Sequence, residues 1–277
     1  MKWINIFWIV ISLHITDQSY GQDLHQTYQF AFEQMNAGNL HVAEKAFKRV
    51  LFFDEGNEYR TPCLLSLAQI SSVNDDQFAA LRYLDQAYFQ TGNESLQTDI
   101  QFDRIQILIQ QNNFQKALAE IYQLDVDIEP ERTLLYEGYC QYKLKDFSAA
   151  ESAFHQLCTK REDEETLAEL IENAHKIEKI NPKTYQLLSY FIPGLGQIRL
   201  GDSKNSINSV LLNGALVILF IDTARKLSFF DASISVVPWL FRYYSGGAKV
   251  AKDLAITKKQ EKHDRNLNQM ILLVAGS

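Results

Sequence analysis

The sequence predicts an all-α chain: a solenoid of stacked helical hairpins followed by a small helical membrane domain. Three observations carry that prediction. A small residue followed four positions later by a large apolar one recurs four times between residues 43 and 154. Two long apolar stretches with clustered glycines lie within residues 184–247. The charge changes sign between these regions: residues 22–160 hold 11 Lys and Arg against 20 Asp and Glu, and residues 183–277 hold 12 against 6. A shift of that size marks modules in different surroundings.

Composition narrows the function. With 277 residues, 46% of them apolar and 22% charged, the chain can bury a core and is not wholly disordered. Three Cys exclude a disulfide-dense scaffold. A net charge of −7 argues against nucleic acid as the main partner. No Ser-His-Asp order, phosphate loop or paired-carboxylate motif stands out. His155, Cys158 and Cys140 lack the spacing of a metal site. The reading is therefore of a binding protein, not an enzyme, with no cofactor, no metal and no small-molecule substrate.

The first element is an export signal over residues 1–21. Lys2 supplies the positive start, Trp3 to Ile15 the apolar stretch, and Ser19 and Gly21 the small residues before a cut at Gln22. No Cys lies near the cut to take a lipid.

The repeats span residues 22–160. Ala43, Ala80, Ala117 and Ala150 align at spacings of 37, 37 and 33, each followed by Phe47, Leu84, Ile121 and Phe154. An apolar helix precedes each such segment. Crossing helices need a small side chain at their closest approach, supplied in the last unit by Gly138 as well. No single hairpin buries both faces, so hairpins must stack.

The order Tyr136, Gly138, Tyr139, Tyr142, Phe147, Ala150, Phe154, Leu157 resembles a tetratricopeptide repeat, and the four units together are similar to an array of that family. The family's Pro is missing after unit 1, where Glu55 stands, and Ile105 replaces a small residue in unit 3. The resemblance implies a concave groove, lined by the first helix of each hairpin, that takes a protein or peptide partner. Its groove positions fall on Tyr28, Phe32 and Met35; on Leu65, Gln69 and Ser72; on Phe102, Gln106 and Ile109; and on Arg132, Leu135, Tyr139 and Tyr142. Packing against neighbouring elements is the other use of these positions. With Arg132 as the sole basic member, a clamp for an acidic C-terminal peptide is not expected.

Residues 161–183 read as an acidic linker or capping helix. Residues 184–256 then form the membrane module, and residues 257–277 a basic tail or helix. The stretch Pro193, Gly194, Gly196, Gln197 and Gly201 resembles the PGLGQ signature of small bacterial TM2-type hairpin domains, with Arg199 in place of the usual aromatic. That resemblance implies membrane location more than mechanism. The runs 206–224 and 229–247 are the candidate spans, with Trp239, Tyr243 and Tyr244 as interfacial aromatics. Three crossings from Tyr185 would leave the basic tail opposite the repeats, and two would return it to their side. Together these features predict a membrane-tethered scaffold in the inner membrane with its repeats in the periplasm. The alternative is a regulatory subunit of a channel or transporter-like assembly, with Asn208, Asn213, Asp222 and Arg225 as its polar membrane residues.

Overall fold

The computed structural model describes residues 23–124 and 129–276. The export signal and its cut before Gln22 lie outside the described residues. Every regular element among the described residues is a helix: α1 (Leu24–Asn36), α2 (Leu40–Phe53), α3 (Arg60–Val73), α4 (Gln77–Gln90), α5 (Glu94–Gln110), α6 (Phe114–Ile121), α7 (Pro130–Lys143), α8 (Phe147–His155), α9 (Arg161–Glu178), α10 (Pro182–Phe191), α11 (Leu195–Arg199), α12 (Ser203–Lys226) and α13 (Phe229–Ala275).

Four tight turns, between α1 and α2, α3 and α4, α5 and α6, and α7 and α8, share one geometry. Gly38, Asp75, Asn112 and Lys145 each take a left-handed backbone, with φ of 78°, 61°, 55° and 68°. In each, the N–H of that residue donates three residues back and the next N–H donates five residues back, as from Asp75 to Ser72 and from Asp76 to Ser71. This is the Schellman closure of a helix C-terminus. Asn39, Asp76, Asn113 and Asp146 then open the next helix, and the carboxylates of Asp76 and Asp146 accept from the N–H groups of Ala79 and Ala149. At Glu55 the turn is held differently. The buried Asp54 carboxylate accepts from the N–H groups of Glu58 and Tyr59, at 3.0 and 2.9 Å, and starts α3.

The chain divides into two compact units between Glu129 and Pro130. In the first, α1–α6 pack as successive pairs. Ala43, Ala80 and Ala117 are fully buried, beside the buried Phe47, Leu84 and Ile121. Arg104 of α5 bridges Asp85 of α4 and Glu120 of α6.

The second unit begins at Pro130 and so includes the last of the four hairpins, α7 with α8. The reason is α13, whose 47 residues run past the expected domain end at 256 to Ala275. Its last turns bring Leu267 and Met270 into one core with Tyr142, Phe147, Ala150 and Phe154 of α7 and α8 and Leu167, Ile171 and Ala174 of α9. Residues 257–275, expected as a basic tail or helix, are thus the end of a packed helix. The segment expected as a linker or cap is helix α9. It buries Leu167, Ile171, Ala174 and Ile177, one stripe at helical spacing. Glu162, Asp163 and Glu164 sit in its first turn, where the helix dipole favours negative charge.

Candidate functional site

Two surfaces stand out, one in each unit. In the first unit a groove of about 440 Å³ opens between α3 and α5. Leu65, Gln69 and Ser72 line one wall; Asp103, Gln106 and Gln110 line the other. The structure therefore brings together four of the expected groove residues, Leu65, Gln69, Ser72 and Gln106. The groove is mostly uncharged and rich in amides, so it can both donate and accept hydrogen bonds.

Phe102 is not part of that wall. It is fully buried, in a packing stripe with Thr98 and Ile105 at i, i+4 and i+7. The open stripe of α5 runs one position over, through Asp103, Gln106 and Gln110. In α1, Phe32 is exposed, Met35 is half-buried against the core around Ala43, Phe47 and Leu67, and Tyr28 packs on Phe47 and Tyr59.

In the second unit, Tyr142 is buried under the last turns of α13, and Leu135 and Tyr139 are half-buried against the same core. At Tyr142 the expected groove is thus covered by the chain's own C-terminal helix. The Tyr142 hydroxyl accepts from Asn266 Nδ2 at 3.1 Å, and Lys143 Nζ donates to Asp264 at 2.7 Å. Glu178 of α9 accepts from Lys145 Nζ at 2.7 Å and lies 3.0 Å from Lys259 Nζ and 3.1 Å from His263 Nε2. Burial pushes the Glu178 carboxyl up, but its bonds to Lys145 and Lys259 outweigh burial and hold it at about 2. Burial pushes the His263 imidazole below its ordinary value, only partly offset by Glu178. Arg132 stands over the Tyr136 ring.

The second surface is the hairpin of α12 and the first half of α13. Ser206 and Asn213 of α12 are buried, a Cβ on Gly247 of α13 would stand 2.8 Å from Ser209 Oγ, and Phe220 meets Phe229 edge to face with ring centres 5.8 Å apart. The hairpin's outward side chains are large and apolar. Leu211 is 66% exposed, Ile218 69%, Ile234 63% and Phe241 72%. Among the described residues α12 alone is long and apolar enough to cross a membrane, and almost none of it is buried.

The glycine-rich turn closes the base of this hairpin. α10 ends at Phe191, and Pro193 and Gly194 reverse the chain into α11. Gly194 takes φ of 88°, and a Cβ there would stand 2.6 Å from Ser206 Oγ. A Cβ on Gly196 would collide with the Tyr185 carbonyl. Gln197 is buried and ties three segments together. Its Oε1 accepts from Ser189 Oγ at 2.9 Å, and its Nε2 donates to the Gly247 carbonyl at 2.7 Å. Ser189 Oγ also accepts from the Gly196 N–H, and Ser206 Oγ donates to the Gly194 carbonyl. Gly201 takes φ of 75° and hands the chain to α12. The motif thus reads as a folding device: its residues satisfy the non-helical backbone and seat α10, α12 and α13 together.

Cys63, Cys140 and Cys158 are unbridged. Burial pushes the Cys140 thiol up to about 12, which makes it a poor nucleophile or ligand. Among the described residues, no group of three or more His, Cys, Asp or Glu is placed to hold a metal. No family model, curated protein or solved structure matches the chain.

Proposed function

We propose that the chain is a membrane-tethered helical-repeat scaffold. In this reading α12 spans the bilayer, the first half of α13, which carries Asp231 and Arg242 and is less apolar, returns through it packed on α12, and the groove between α3 and α5 takes an extended segment of a protein partner. The observation that carries it is the pair of outward apolar faces. Soluble monomers rarely expose contiguous apolar patches beyond a few hundred Å², whereas hydrocarbon accepts such faces. The 24 residues of α12 are about 36 Å long, against a hydrocarbon core of about 30 Å.

The packing of α13 favours two crossings over three. Its last turns lie against α7 and α9, so the hairpin must return to the side from which it left. α10 has 10 residues, about 15 Å, which is too short for a further crossing. The amide-rich groove and the repeat resemblance support a protein partner, and the apolar N-terminal segment supports export, with the repeats in the periplasm.

Carbonate extraction of membranes tests the tether. The wild-type chain should stay in the pellet. A variant with Leu211→Lys, Ile218→Lys and Ile234→Lys changes only exposed side chains and should be released. Release of the wild type overturns the reading.

A further inference from the structure

Where α10 leans on α13, an open cavity of about 630 Å³ carries a cluster of positive charge that the tether does not require. Arg242, Lys249 and Lys252 line it from one face of α13, at i, i+7 and i+10. None of the three has an ion-pair partner among the described residues, in contrast to Lys143, Lys145, Lys226 and Lys259, which all do. Asp253 is the one carboxylate in the lining, which leaves an excess of positive charge. Gly246 sits between the cations, and a Cβ there would meet nothing within 4 Å. The space is therefore open to a headgroup-sized ligand. Tyr190 and Phe241 border the same cavity on its apolar side.

The position along the helix says what kind of ligand fits. From Ser228, at the hairpin tip, to Lys249 is 21 residues, or about 31 Å, close to one hydrocarbon thickness. Lys249 and Lys252 then stand at headgroup level, and Arg242 lies about 10 Å deeper. Arg242 stands over the Trp239 ring at 6.0 Å, a contact that leaves its charge unneutralised, and an arginine at that depth is costly unless it snorkels to the interface or meets an anion. A phosphate held at the interface meets all three cations, and the guanidinium can grip it with two hydrogen bonds. The acyl chains of the same molecule would lie over Phe241 and Tyr190.

We infer that this cavity binds the phosphate headgroup of an anionic phospholipid. The inference rests on the hairpin's membrane location. A second copy of the chain does not serve as the occupant. In a parallel pair it would present its own Arg242 at that depth, and its carboxylates Asp222 and Asp231 lie nearer the tip.

Native mass spectrometry of the full-length chain in detergent tests this, with phosphatidylglycerol or phosphatidylcholine as the added lipid. The wild type should retain phosphatidylglycerol in preference to phosphatidylcholine. Arg242→Gln should weaken retention roughly fivefold, and Lys249→Gln with Lys252→Gln should deepen the loss. The exposed control Lys204→Gln should leave retention unchanged. Equal retention of both lipids, or undiminished phosphatidylglycerol on the triple variant, overturns the inference. So does displacement of the lipid by inorganic phosphate at equal concentration, which would make the cavity a site for a soluble anion. Carbonate extraction is run beside it. A chain that stays in the pellet but shows no lipid preference loses only this inference, and a chain that is released loses the membrane reading itself.

Discussion

Asn266 Nδ2 lies 3.1 Å from the Tyr142 hydroxyl, joining residues 124 positions apart. The same amide donates to the Leu170 carbonyl at 2.9 Å, and its Oδ1 accepts from Asn173 Nδ2 at 2.7 Å. One side chain, 2% exposed, therefore pins α13 to both α7 and α9. Asn266→Leu removes three hydrogen bonds at once, although the Tyr142 hydroxyl keeps its contact with His263 Nδ1 at 3.1 Å and Asn173 is exposed, so each loss costs about 0.5–1.5 kcal/mol. Thermal unfolding of the full-length chain in detergent should show a clear drop. An unchanged midpoint would mean that the C-terminal helix does not dock there.

The same contact should weaken in acid. His263 has a folded-state affinity for protons below its unfolded one, so the unfolded chain takes the proton first and stability falls as pH drops below about 6.5. Glu178 works at lower pH. Its carboxyl is held at about 2 against an ordinary 4.5, so its stabilisation is complete above about 4.5 and is lost as pH falls through 2. Unfolding midpoints measured from pH 7 to 3 should decline in both windows. His263→Phe should flatten the decline near pH 6 and leave the lower one. A profile unchanged by that substitution would remove His263 from the account.

Gly138 and Phe154 meet where α7 crosses α8. A Cβ on Gly138 would stand 2.7 Å from the Phe154 ring, and both residues are buried. Gly138→Leu should destabilise the second unit by about 1–3 kcal/mol through overpacking. Adding Phe154→Ala opens room and should recover part of that loss, so the two changes are not additive. Strict additivity would place the two residues apart.

The four left-handed turns predict opposite signs at equivalent positions. Gly38→Ala forces a Cβ into φ of 78° and should cost about 1 kcal/mol. Asp75→Gly relieves the same strain at φ of 61° and should gain up to that amount, less the added freedom of the unfolded chain. Denaturant midpoints of the two variants should move in opposite directions.

These turns also show what the sequence left hidden. The helices were legible because Ala43, Ala80, Ala117 and Ala150 are followed at fixed spacing by large apolar residues, and burial at helical spacing repeats with them. The turn residues Gly38, Asp75, Asn112 and Lys145 keep the same spacing but share no chemistry, so only the backbone reveals them. The groove was half legible. Gln69 and Gln106 fall on its walls, whereas Phe102 lies one position off the open stripe, a rotation of about 100° that a repeat alignment does not resolve. The docking of Leu267 and Met270 on Tyr142 was not legible at all. Nothing local in residues 257–275 distinguishes a packed helix from a solvated one, because its hydrogen-bonding partners on α7 and α9 lie from 81 to 124 residues away. Gln197 belongs with it: the glycines beside it mark a tight turn, but its bond to Gly247 crosses 50 residues.

Trp239 gives the most direct test of the membrane tether. It is exposed on the outward face of α13, stacked on Tyr243, and the two other tryptophans, Trp3 and Trp8, can be replaced by Phe. In vesicles containing brominated phospholipids, the fluorescence of Trp239 should be blue-shifted and strongly quenched, and aqueous iodide should quench it little. Emission typical of water, quenched by iodide and untouched by the brominated chains, would contradict a hairpin in the bilayer.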